Sequence, residues 1–87
     1  MEVAEVKGRL TELFANASHI GVQGEDCSFG VIVVTDDFAE VRPVQRQQKI
    51  LAAFSSELGS GALHALTVEA YTPQEWESKS SLTAIQM

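Results

Sequence analysis

The sequence predicts a mixed α+β domain in the order helix, strand, strand, helix, strand, helix, with the helices on one face of a three-stranded mixed sheet. Three observations carry that prediction. Apolar residues recur at helical spacing in two segments, Val3–Val6–Leu10–Leu13–Phe14 and Val44–Ile50–Leu51–Phe54–Leu58. Residues 27–35 (Cys-Ser-Phe-Gly-Val-Ile-Val-Val-Thr) are apolar on both parities, as in a central strand. Thr72-Pro73-Gln74-Glu75 forms a capping box just ahead of Trp76.

The first helix spans about residues 2–16, with Glu2 and Glu5 placed to favour its positive end and Gly8 weakening its middle. Residues 19–23 (His-Ile-Gly-Val-Gln) read as a short strand, and Gly24-Glu25-Asp26 as a polar connection into the strand of residues 27–35. A connection this short makes the first two strands antiparallel. Thr35-Asp36-Asp37 breaks the second strand. Pro43 suits the first turn of the second helix, where no N–H is needed, and Gly59-Ser60-Gly61 ends it. Residues 62–71 alternate as a third strand, with His64, Leu66, Val68 and Ala70 on one face. A helix between the second and third strands implies a right-handed crossover and parallel pairing. The capping box then starts a short helix through Trp76, so that residues 1–77 form the domain and 78–87, rich in serine, a flexible C-terminal tail.

At 87 residues there is room for one domain with one modest core, and a hydrophobic fraction of 45% is ordinary for a folded chain. The longest apolar run, Val31 to Val34, is far too short to cross a bilayer, and no basic-then-apolar leader opens the sequence. The single Cys27 excludes an internal disulfide and any multi-cysteine metal site built by this chain alone, and one free thiol fits a reducing compartment such as the cytoplasm. A net charge of −6 argues against broad attraction to nucleic acid. Arg42, Arg46 and Lys49 nevertheless fall close together and make one candidate basic patch for a nucleic acid or a partner, or else a solvated helix face. A clamp of the GXXG kind is missing, because no glycine occurs between Gly30 and Gly59. Neither a nucleophile elbow, a phosphate-binding loop nor a zinc-hydrolase helix motif is present, so the sequence does not read as an enzyme.

Cys27 opens the second strand and His64 stands near the start of the third. Parallel neighbours would put both at one end of the sheet, and thiolate and imidazole both suit iron–sulfur clusters. Two ligands are half of what a 2Fe-2S cluster needs, so the arrangement predicts a cluster bridged to a second molecule. Each residue also has a plain structural role open to it: His64 as a partly buried histidine bonded to backbone, and Cys27, beside Glu25 and Asp26, as an inert thiol. His19 falls at the opposite sheet end and reads as structural or exposed; Tyr71 and Trp76 read as core and cap residues.

Cys27-Ser28-Phe29 with Val31-Ile32-Val33-Val34-Thr35 and Phe38, then Val44-Gln45-Arg46 and the helix to Glu57-Leu58, then Leu63-His64-Ala65-Leu66 and Tyr71-Thr72-Pro73-Gln74-Glu75-Trp76, together resemble the BolA-like proteins over about residues 2–77. The resemblance implies a class II KH-like fold. It also implies monothiol glutaredoxins as partners, with a role in iron–sulfur cluster trafficking, assembly or iron regulation. His64 matches the family's C-terminal histidine, a ligand of the 2Fe-2S cluster shared with a glutaredoxin and glutathione, and Cys27 matches the loop cysteine of one branch. The implied chain is a monomer alone and a heterodimer with its partner. A second implied role is transcriptional regulation through weak nucleic-acid binding. The sequence departs from the family at Gln47, where an Arg-His-Arg run is usual and Arg46-Gln47-Gln48 stands here.

Overall fold

In the computed structural model, residues 2–25 and 28–86 are described, with the side chains of 2–24 and 28–79. Helix α1 covers Val3–Leu13 and strands β1 and β2 cover His19–Glu25 and Ser28–Val34. A 3-10 turn at Asp36–Phe38 leads to α2 (Pro43–Ala53) and α3 (Ser55–Ser60), and β3 (Ala65–Tyr71) and α4 (Pro73–Gln86) complete the chain. The sheet order is β1-β2-β3, with β1 antiparallel and β3 parallel to β2, as the connection lengths predict.

One face of the sheet carries the core. Phe29, Val31 and Val33 of β2 and Val68 of β3 are buried against Val6 and Leu10 of α1, Ile50 of α2, and Phe14, Phe38, Phe54 and Leu63 from the connections. Phe14 meets Phe38 edge-to-face at a centroid distance of 5.3 Å, the arrangement aromatic quadrupoles favour.

The second helix is broken where the sequence reads it as continuous to Leu58. Phe54 leaves helical geometry (φ −117°, ψ 17°) and turns its ring fully into the core. Arg9 of α1 stabilises that break. Its guanidinium donates to the Ala53 carbonyl (3.0 Å), pairs with both Glu57 carboxylate oxygens (2.7 and 2.9 Å) and lies over the Phe54 ring. Of the expected apolar stripe, Ile50 and Phe54 are buried and Leu51 and Leu58 pack against the core, but its first residue does not join them. Val44 is 58% exposed, whereas Arg46 is buried and shares the core side with Ile50 and Phe54, four and eight positions on.

β3 starts three residues later than the alternation suggests. Gly61 takes a left-handed conformation (φ 88°) to end α3, and the Leu63 N–H bonds back to the Glu57 carbonyl (3.0 Å) with its side chain buried. At the C-terminal end, Thr72 and Glu75 exchange the two hydrogen bonds of the predicted capping box (2.9 and 3.2 Å). The helix they start runs to Gln86, longer than a short turn through Trp76, so the 77/78 boundary falls inside it. None of the helices among the described residues is long and apolar enough to cross a membrane.

Candidate functional site

His64 is placed by its neighbours on both sides. Leu63 is pinned in the core, and Ala65 opens β3 paired with Ser28 of β2. Between these anchors His64 is exposed, and among the described residues its imidazole has no hydrogen-bond partner. The partly buried, backbone-bonded histidine that alternation allows is therefore not what forms. Cys27 lies outside the described residues. In the sequence it immediately precedes Ser28, as His64 immediately precedes Ala65.

An exposed imidazole with free nitrogens fits a cluster as one ligand. Among the described residues no three His, Cys, Asp or Glu side chains gather to hold a metal ion, so a filled coordination sphere needs donors beyond them.

The sheet face away from the core forms a concavity of about 640 Å³ that the sequence did not announce. Gly21, Gly30, Ile32 and Thr67 line it, and Ser28 and Ala65 bring it up to the position of His64. Small residues at adjacent ladder positions leave this floor shallow, a pattern that becomes visible only once the register is known. Glu69 is the only charged described side chain along it. Its carboxyl is held below the usual range first by the Tyr71 hydroxyl (2.7 Å) and then by Lys79 (3.3 Å).

The opposite end of that face is closed by an aromatic group. His19 stacks on Trp76 (5.5 Å between centroids, 17° between planes), and Tyr71 tilts against Trp76 at 5.6 Å. Val34 lies between His19 and Tyr71 in the ladder and is fully buried. His19 thus stands at the far end of β1 from Ser28, exposed, as the topology predicts.

The proposed patch of Arg42, Arg46 and Lys49 does not exist as a surface. Arg46 is 5% exposed and donates to the carbonyls of Phe38 (2.9 Å), Val41 (2.7 Å) and Ala70 (3.2 Å), and pairs with Glu75 at 2.6 Å. Its charge is spent inside the protein, which leaves Arg42 and Lys49 exposed. Gln47, next in the chain, donates to the Val68 carbonyl (3.5 Å). Side chains from α2 therefore cover two carbonyls on the outer edge of β3.

These features define a small α+β domain with an open sheet face and an exposed imidazole at its rim. Residues 11–75 match the family model described as BolA-like protein. The chain is 35% identical over 82 residues to an uncharacterized protein of Haemophilus influenzae, covering 94% of this chain and 95% of that one. It is 34% identical over 67 residues to the DNA-binding transcriptional regulator BolA of the same organism, spanning 75% of this chain and 64% of the regulator. Among solved structures, a bol-like protein from Babesia bovis superposes with a TM-score of 0.77 at 25% identity, covering 92% and 94% of the two chains. Yeast Fra2 gives 0.68 at 26% identity, with 87% and 84% covered. The chain belongs to the BolA-like protein family.

Proposed function

We propose that this chain is a binding module, not an enzyme, that docks a monothiol glutaredoxin and shares with it a 2Fe-2S cluster, the cargo of iron–sulfur trafficking, assembly or iron regulation. The observation that carries this reading is the exposed, unpartnered His64, held between a buried anchor and the first β3 residue. The family likeness adds the kind of partner. In this reading His64 offers a neutral imidazole nitrogen, Cys27 is the second candidate ligand, and the glutaredoxin with glutathione completes the sphere. A reducing compartment such as the cytoplasm suits both the cargo and the lone thiol.

Mixing the chain with a glutaredoxin and glutathione, reconstituting anaerobically and recording visible absorption and circular dichroism tests the proposal. The expected spectrum differs from that of glutaredoxin alone, and His64→Ala abolishes the difference. A spectrum equal to glutaredoxin alone, unchanged by His64→Ala, rejects it. Gln47→His belongs beside the parent. Gln47 caps an edge carbonyl at hydrogen-bonding limit, so the substitution is expected to shift stability by less than about 1 kcal/mol and leave the His64 dependence intact.

The 34% identity to a protein named a DNA-binding transcriptional regulator favours a second reading, a weak nucleic-acid binder. With Arg46 withdrawn into the interior, Arg42 and Lys49 remain of the proposed patch. Two phosphate contacts predict a slope of log K against log salt no steeper than about −2. A steeper slope in a titration would require a cationic surface elsewhere.

A further inference from the structure

The two edges of this sheet are treated differently. In β3, the Tyr71 carbonyl accepts from the Thr35 N–H, which sets the odd-numbered residues of β3 facing β2 and the even-numbered ones facing outward. Two of those outward carbonyls, Val68 and Ala70, are the ones capped by Gln47 and Arg46. That edge is thus partly occupied, at the carbonyls nearest α2.

The same alternation, carried across the register, points the odd-numbered residues of β1 toward β2 and turns the N–H and C=O groups of Ile20, Val22 and Gly24 outward. Among the described residues no hydrogen bond reaches them from a second side. The strand reads His-Ile-Gly-Val-Gln-Gly-Glu, with no lysine, arginine or proline, the residues that ordinarily blunt an exposed edge.

We propose that β1 pairs with β1 of a second copy of this chain, antiparallel about a two-fold axis through Val22. In that register Val22 exchanges both backbone hydrogen bonds with its symmetry mate, and Ile20 pairs with Gly24. Position 19 then faces position 25. The register sets the strand's two ionisable positions, His19 and Glu25, opposite each other, so that neither faces its own copy. Both open faces fall on the same side of one continuous sheet of twice the width. The contact is small and its association weak, so the chain is expected to be monomeric when dilute. It does not rest on the cluster reading and uses a different part of the fold.

Sedimentation equilibrium on the full chain, from micromolar to millimolar loading, is the test. The mass is expected to rise with concentration from 9.4 kDa toward twice that value. Amide exchange at Ile20 and Val22 is expected to slow in parallel. Val22→Pro removes an outward N–H without touching the β1–β2 ladder, a position where proline is tolerated, and is expected to weaken association at least about tenfold. His19→Glu, which sets acid against acid, is expected to weaken it about threefold and serves if the proline variant does not fold. A mass that stays at 9.4 kDa at millimolar loading overturns the proposal. So does association that Val22→Pro and His19→Glu both leave unchanged, or protection of Val22 that appears only when a foreign strand-forming peptide is added.

Discussion

Arg46→Met is expected to cost about 3–5 kcal/mol of folding stability, a large part of what a domain this size possesses. The Arg46 side chain is 6% exposed, and its guanidinium ties together the 3-10 turn, the approach to α2, the end of β3 and the first turn of α4. Methionine fills a similar volume but leaves the Phe38, Val41 and Ala70 carbonyls short of a donor, at about 1–3 kcal/mol for each that water cannot reach. Glu75→Gln is expected to cost less, because that carboxylate is 46% exposed and its pairing is screened by solvent.

The same pair sets the acid side of the stability curve. The Glu75 carboxyl is held below its ordinary value of 4.5 first by the Arg46 hydrogen bond and next by the Thr72 backbone N–H. A carboxyl depressed in the folded state stabilises the fold fully above its unfolded value, and that contribution is lost as pH falls through the folded one. Glu57, bonded first to Arg9, and Glu69, bonded first to Tyr71, act in the same direction. Urea titrations at about pH 7 and about pH 3 should show the parent losing stability between the two, with Glu75→Gln flattening the loss. An equal loss in both proteins would remove Glu75 from the account.

Gly24→Ala is expected to cost about 3 kcal/mol and to loosen the β1–β2 connection. Gly24 has φ 136°, and any side chain there would run into the Ser28 carbonyl oxygen. The backbone conformation alone costs a side chain about 1–3 kcal/mol, and relieving the clash moves backbone, which costs more. A drop in melting temperature on the order of 10 °C checks the magnitude. Because the displaced atom belongs to Ser28, the partner of Ala65, the His64-dependent cluster signal should weaken as well. A variant that melts like the parent would contradict the close approach.

What the sequence revealed and what it hid follow from how far apart the interacting residues are. The capping box at Thr72–Glu75 was legible because both partners lie within one turn. The strand pairing was legible because connection length decides direction. Arg46 was misread because a cation at a core position looks like surface until its partners appear, and Glu75 and three carbonyls reach it from other elements. The break at Phe54 depends on Arg9, far back in the chain, and helical periodicity runs through it unmarked. For the candidate site, the strand ends were foreseen and the exposure of His64 was not. That exposure depends on Leu63 turning inward, which an alternating pattern extended to residue 62 assigns wrongly.

Trp76 is the chain's single tryptophan, and its indole sits face to face with an imidazole that belongs to the far side of the sheet. The molecule thus carries its own optical gauge. Emission from that ring reports whether the last helix still rests on the first strand, separately from whether the core is intact. A spectral change that precedes the loss of ellipticity on heating would therefore time the lifting of α4 without any added label.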